Sequence, residues 1–382
     1  MATASRRLNP FAAYRQMRQE FPVYRDPRTG VWSVYRYDDV QTVLSDFHRF
    51  GSGHDDPHPE AIGPGASIIG LNPPAHRKMR DLVSRAFTPR AVDQMAGRIR
   101  GLVESLLSRC LVAGRFDVVD DFSAQLPVLV IAEMLGIPTE DRPQFKAWSD
   151  QIVAGTENHA LGRSATRAMS EYFSQVIQDR RQRPDGDDLI SSLIRAEVDG
   201  RRLTDAEVIS FCDLLLVAGN ETTTNLITNA VWTFAEQPEV WEALRTAPEV
   251  LPDAIEEVLR YRSPVQAMFR HVRHDMSWHD QEFRAGERVI AWIGSANHDG
   301  EKFAEAEDFD LHRKPNPHLA FGYGIHYCLG APLARLESRL TFEALLAAGV
   351  TRYELLAPSE ELMPVEGWIV LGLKHLPVKV TR

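Results

Sequence analysis

Cysteine is scarce in this chain. Three stand among 382 residues, Cys110, Cys212 and Cys328. So low and odd a count speaks against a disulfide framework. It also excludes a four-cysteine zinc or iron–sulfur site built from this chain alone. Long apolar runs are missing as well: no stretch approaches the roughly 18 apolar residues of a membrane span. The opening segment, MATASRRLNPFAAYRQMRQEFP, lacks the apolar core of a signal peptide. These absences lead to the expectation of a cytoplasmic protein without a membrane anchor. Basic charge is in deficit, 43 Lys and Arg against 53 Asp and Glu, for a net charge of −10. That speaks against nucleic acid as the main partner, which usually calls for a basic surface. Internal repeats, low-complexity tracts and a clear interdomain linker are absent too.

What is present is ordinary globular material, 44 % hydrophobic and 25 % charged. A chain of this length can bury a large core and a cofactor within it. VWSVYRYDDVQTVL, residues 31–44, predicts a short strand, a turn and a helix. Residues 51–75 are rich in Gly and Pro and predict a long loop, of a length often used as a lid. AVDQMAGRIRGLVESLLSRCLV, residues 91–112, carries apolar residues at three- and four-residue intervals and predicts a helix. The longest predicted helix begins at Thr204, where Thr204 and Glu207 form a capping box. It runs to about Pro238, roughly 50 Å at 1.5 Å per residue. ERVIAWIGSAN, residues 287–297, predicts a strand, and LPVKV near the C-terminus another. The expected fold is mainly α with small β-sheets.

One cysteine has unusual surroundings. In FGYGIHYCLGAPLARLE, residues 321–337, Cys328 stands just ahead of a predicted helix whose dipole and free N–H groups favour a thiolate. Such a thiolate is a nucleophile, a redox sensor or a metal ligand. Gly324 and Gly330 let backbone approach something flat and bulky. A lone buried cysteine is an ordinary small hydrophobe, but Phe321, Gly324, His326, Cys328 and Gly330 together spell F-x-x-G-x-H-x-C-x-G. This resembles the haem-binding signature of the cytochrome P450 family. The resemblance implies a single P450 domain over residues 1–382, a large helical body with small sheets enclosing haem b (iron protoporphyrin IX). It makes Cys328 the axial thiolate, which pushes electron density onto iron and favours O–O cleavage.

The resemblance extends along the chain. AGNETTT, residues 218–224, is a poor helix-forming run within a helical pattern, and its Thr hydroxyls can bend the helix. It matches the family's A-G-x-[DE]-T pattern on a kinked helix. By that match Ala218 lies against haem, and Glu221 and Thr222 are the acid–alcohol pair that delivers protons during dioxygen cleavage. In EEVLRY, Glu257 and Arg260 are three apart and share a helix face. They match the family's E-x-x-R, completed by Arg313, and are assigned a structural role. His76 and Arg80 in PPAHRKMR, with Arg270 and His326, match the family's propionate partners. Asn72 departs from the aspartate that many relatives carry before the Pro pair. His271, His274 and His279 have no metal-site spacing and read as a solvated strand edge. Cys110 and Cys212 read as core.

The implied activity is monooxygenation of a lipophilic small molecule: a steroid, terpenoid, fatty acid or macrolide. Family positions put Ile68, Ile69, Leu215, Ala218, Val265, Ala267, Met268, Trp368 and Ile369 on the pocket wall. Dioxygen is the co-substrate. With no flavin or iron–sulfur module in the chain, the two electrons are expected from a separate ferredoxin and ferredoxin reductase. Arg77, Lys78, Arg335 and Arg339 form the candidate basic docking patch. A peroxygenase is the competing enzyme class, and the Glu221–Thr222 pair speaks against it. A haem-based sensor is the non-catalytic alternative, weakened by the lack of an attached signalling or DNA-binding region.

Overall fold

The computed structural model describes residues 7–53, 68–154, 159–183 and 185–382. Its helices of nine residues or more are, in chain order, α1 (Phe11–Glu20), α2 (Tyr37–Ser45), α3 (Ala75–Ala86), α4 (Ala96–Ala113), α5 (Leu126–Met134), α6 (Arg142–Ala154), α7 (His159–Gln182), α8 (Asp205–Glu236), α9 (Pro238–Thr246), α10 (Leu251–Tyr261) and α11 (Ala331–Ala347). Eight short strands build two sheets: β1 (Val23–Arg25), β2 (Trp32–Val34), β3 (Phe50–Gly51), β4 (Arg115–Asp117), β5 (Met268–Val272), β6 (Arg288–Ala291), β7 (Arg352–Leu355) and β8 (Pro377–Thr381). The chain is mainly helical with small sheets, as its sequence pattern predicts.

The chain divides into two compact units. The first comprises Met1–Ser52, Val103–Ser123 and Thr222–Arg382, and the second Gly53–Leu102 and Ala124–Glu221. In the first unit, a five-stranded sheet has the order β1-β2-β6-β5-β3. Strands β2 and β6 run parallel, with Trp32 beside Val289 and Val34 beside Ala291; the other neighbours are antiparallel. Strand β2 is buried at all three residues, as a central strand demands. Trp32, Val34, Val40, Val43, Phe50, Val289 and Leu319 belong to one core cluster with it. A second sheet, β7-β8-β4, is antiparallel throughout. Helix α10 buries Leu251, Ala254, Ile255, Val258 and Leu259, the i, i+3, i+4, i+7, i+8 stripe of a core-facing helix.

Helix α8 spans 32 residues, about 48 Å. Its start is the predicted capping box: Glu207 N donates to Thr204 Oγ1 at 3.2 Å, and Thr204 N to Glu207 Oε2 at 2.8 Å. The α-helical pattern is continuous through AGNETTT, from Asp205 to Glu236. The hydroxyls are absorbed without disrupting it. Thr228 and Thr233 donate back to the carbonyls of Thr224 and Asn229 at 2.8 and 2.7 Å, and Thr224 Oγ1 donates to Ser123 O at 3.0 Å.

Two further predictions need correction. Residues 91–112 form two helices, because Thr88 caps a short one at Pro89–Gln94 before α4 begins at Ala96. The strand predicted over 287–297 stops at Ala291. Beyond it, Ala296 N and Asn297 N donate to the carbonyls of Trp292 and Ile293, making a helical turn. Of the predicted 51–75 loop, residues 54–67 lie outside the described residues; Ile68–Gly70 form a 3-10 turn. Among the described residues no helix is long and apolar enough to cross a membrane.

Candidate functional site

The first unit's site is organised from α10. Glu257 and Arg260 are fully buried. Glu257 Oε1 accepts from Arg260 Nη2 at 2.7 Å, Arg313 Nε at 3.1 Å and Asp310 N at 2.9 Å; Oε2 accepts from Arg260 Nε at 2.9 Å and Asn316 Nδ2 at 3.1 Å. Arg260 also donates to the carbonyls of Asn297, Ala306 and Asp308 at 2.7–2.8 Å. A buried charge cluster is tolerable only when its donors and acceptors are nearly all used. The cluster fixes the 304–316 segment, which leads into the cysteine loop.

Residues 321–330 all keep some exposed surface, between buried Leu319–Ala320 and buried Ala331. The loop is held at its base. Leu319 N donates to Asn297 Oδ1 at 2.7 Å, and Cys328 N donates to Phe321 O at 2.9 Å. Gly324 has φ +74°, and a Cβ there would lie 2.8 Å from Ser45 Cα on α2. Glycine is therefore required twice over, by conformation and by space. Cys328 forms no disulfide and stands two residues before Gly330, the N-cap of α11. A Cβ on Gly330 would come within 3.9 Å of Cys328 Sγ. The other two thiols are buried. Burial pushes Cys110 up to about 11 and raises Cys212 as well, so neither is a thiolate at neutral pH.

Arg270 on β5 is 4 % exposed. Its Nη1 donates to Phe269 O at 2.8 Å, and among the described residues no carboxylate pairs with it. Burial without a counter-charge lowers its pKa to about 10. His326 lies half-buried in the loop. Of the residues expected on a pocket wall in this unit, Val265 and Met268 are half-buried and Ala267 is fully buried. Trp368 and Ile369 are exposed. The Trp368 ring sits 5.1 Å from Trp292 and 5.6 Å from Phe269, on a cavity of about 550 Å³ shared with Tyr14, Gln266 and Leu371.

In the second unit, Ile68 is buried and Ile69 exposed. His76 is buried and Arg80 half-buried on α3. Asn72 Nδ2 donates to Gly53 O at 3.1 Å. Within α8, Leu215 and Glu221 are half-buried and Ala218 is exposed, whereas Phe211, Cys212, Leu216 and Asn220 are buried. The spacing 215, 218, 221 marks one open helix face. Burial raises the pKa of Glu221, so its carboxyl keeps a proton to higher pH than an exposed glutamate. Thr222, the next residue of α8, is half-buried.

Two of the four cations expected to form a basic docking patch are paired with carboxylates. Arg335 is engaged with Glu256 through Nε at 2.6 Å and Nη2 at 2.7 Å, and Arg339 pairs with Glu343 at 3.0 Å. Both cations are thus paired, although the Arg339 side chain stays 42 % exposed. Arg77 and Lys78 are exposed. Sequence reasoning missed Glu256, His318 and Asn297, each of which holds the cysteine loop. Only Glu256 carried a signal, its place beside Glu257. Among the described residues one His–carboxylate cluster was also missed, Asp117, Asp120 and His375. Asp117 Oδ1 there accepts from the N–H groups of Val119, Asp120 and Leu376, joining two chain segments.

The chain belongs to the cytochrome P450 family, the haem-thiolate monooxygenases: the family model matches residues 3–382. It is similar to substrate-free CYP109E1 from Bacillus megaterium, 42 % identical, with a TM-score of 0.92 over 98 % of this chain and 99 % of that one. The same protein in complex with testosterone matches at 42 % identity and a TM-score of 0.90, over 98 % of this chain and 100 % of that one. Erythromycin C-12 hydroxylase of Saccharopolyspora erythraea is 41 % identical, over 95 % of this chain and 92 % of that protein.

Proposed function

We propose that this enzyme hydroxylates a lipophilic polycyclic or macrocyclic molecule, with Cys328 as the axial thiolate of haem b. The carrying observation is the cysteine loop: ten residues with uncovered surface, fixed at their base, ahead of a helix N-terminus. Arg270 supports the same reading. A buried guanidinium with no carboxylate partner among the described residues fits an anionic group such as a haem propionate. By the family pattern His326, His76 and Arg80 serve the propionates too, and Phe321, Gly324 and Gly330 shape the approach to the ring. Glu257, Arg260 and Arg313 are structural. The residues present fit the cofactor.

When bound, a thiolate-ligated haem supplies dioxygen activation and cleavage of the O–O bond. The chain's own work is to orient substrate, exclude water and hold protons. Leu215 and Ala218 give α8 an apolar open face. Ile68, Ile69, Val265, Ala267, Met268, Trp368 and Ile369 are the further wall positions proposed by family match. Glu221 keeps a proton available and Thr222 passes it on. The whole chain acts as one cytoplasmic domain and takes electrons singly from a ferredoxin and its reductase. A similar structure binds testosterone and a relative hydroxylates erythromycin; both support a bulky lipophilic substrate.

An optical titration of the purified ferric protein with steroids, terpenoids, fatty acids and macrolides tests this. A low- to high-spin shift with a steroid or macrolide is the expected result. A shift with fatty acids alone rejects the ring-system reading. A second test concerns proton delivery, to which a positioned group contributes about 10²–10⁴-fold. Thr222→Ala is expected to cut product formation by about 10² while electron consumption persists. Unchanged product per electron removes Thr222 from the relay.

A further inference from the structure

Two adjacent carboxylates on α10 have divided their work. Glu257 is buried in the arginine cluster described above. Glu256 points elsewhere and gathers the cysteine loop itself. Its two oxygens take a bidentate hold on Arg335 of α11, at 2.6 and 2.7 Å. His318 Nε2 lies 3.0 Å from Glu256 Oε2. The His318 tautomer follows from its other nitrogen: Ala320 N donates to Nδ1 at 3.3 Å, so Nε2 carries the hydrogen and donates to Glu256. The Arg335 guanidinium then lies 4.5 Å from the centroid of the Phe321 ring, and its Nη1 donates to the Tyr327 hydroxyl at 3.3 Å. Phe321 is also the residue whose carbonyl accepts the Cys328 N–H at 2.9 Å. The His318 and Tyr327 rings lie 6.1 and 6.3 Å from Phe321.

We infer that Glu256 is a positioning residue for the Cys328 thiolate, acting through Arg335 and His318, and that the Glu256–Arg335 pair keeps the charge behind the loop balanced. This rests on Cys328 being the haem ligand. The pair is a planar fork on a carboxylate, the geometry in which arginine is not replaceable by lysine. Burial, the largest single influence on Glu256, pushes its carboxyl up. The hydrogen bonds from Arg335 and His318, with the Arg335 charge, outweigh it and hold it down at about 2. The pair therefore stays ionised throughout the working range, and its net charge is zero.

A set of charge-removing variants separates electrostatics from mere support. Glu256→Gln leaves the Arg335 cation uncompensated, and Arg335→Gln leaves the Glu256 anion. The ferric/ferrous midpoint potential of the purified holoenzyme is measured for each and for the double variant. The expected result is a potential raised in Glu256→Gln, lowered in Arg335→Gln and returned toward wild type in the double variant. Potentials that move the same way in both single variants overturn the balance. Arg335→Lys keeps the charge and loses the fork. It is expected to hold the potential while its ferrous carbonyl complex loses the thiolate-type absorption band several-fold faster on warming. An unchanged lifetime of that band overturns the positioning role. Should the wild-type protein show no thiolate-type band at all, the ligand assignment of Cys328 has failed, which is a different outcome from failure of the clamp.

Discussion

Replacing Cys328 with serine is expected to abolish the thiolate-type band of the ferrous carbonyl spectrum and all turnover above that of free haem. Serine is nearly isosteric, so the loop's hydrogen bond from residue 328 N to Phe321 O persists. The glycine-dependent seat of Gly324 on α2 is untouched. What is lost is the sulfur. A hydroxyl stays protonated where a thiol ionises, and it is a far weaker donor to iron. Cys110→Ser and Cys212→Ser provide the controls. Both thiols are buried, and burial keeps both protonated at neutral pH. Their variants are expected to keep the band. A thiolate-type spectrum that survives in Cys328→Ser and disappears in one of the controls would assign the ligand elsewhere.

The second large effect is on stability. Glu257→Gln should destabilise the fold by about 3–5 kcal/mol, the usual cost of stranding a buried charge. Here two guanidinium groups, Arg260 and Arg313, share the carboxylate. The amide retains one acceptor oxygen but turns a nitrogen toward donors such as Arg260 Nε and Asn316 Nδ2. Since domains have only about 5–15 kcal/mol in hand, such a loss empties much of the native population on modest heating. The comparison is Asp150→Asn, which breaks an exposed i, i+4 pair with Lys146 and should cost under about 0.5 kcal/mol. Urea titration of both variants checks the contrast. Equal midpoints would show that the arginine cluster does not hold the fold.

The parts legible in the sequence were those written in local order. The capping box at Thr204, the Glu257–Arg260 spacing on α10 and the run from Phe321 to Gly330 each lie within a few residues. What sequence reading missed depends on partners far apart in the chain. Arg335 looks like a free surface cation until Glu256, 79 residues away, closes on it. The Thr-rich stretch of α8 reads as a poor helix former, and its Thr224 hydroxyl finds its acceptor only at Ser123, about a hundred residues earlier. The strand predicted at 287–297 follows its β-branched composition as far as Ala291. Past that point Gly294 is wedged on Gln266, where a Cβ would lie 2.1 Å from Oε1, and tertiary packing overrides the local preference.

The separations in that network also set a timetable. Glu256 and Glu257 are made long before any of their distant partners: Asp310 and Arg313 come 53 and 56 residues later, His318 62 and Arg335 79. Strand β2 waits still longer, since its parallel neighbour begins at Arg288. During synthesis from the N-terminus, α10 thus emerges with Glu257 and Arg260 able to pair only with each other, and with Glu256 lacking both Arg335 and His318. Its core cannot be completed until translation has passed Arg335. The first unit, which holds both β2 and Arg335, therefore waits on a nearly finished chain, whereas every residue of the second unit has been made by Glu221.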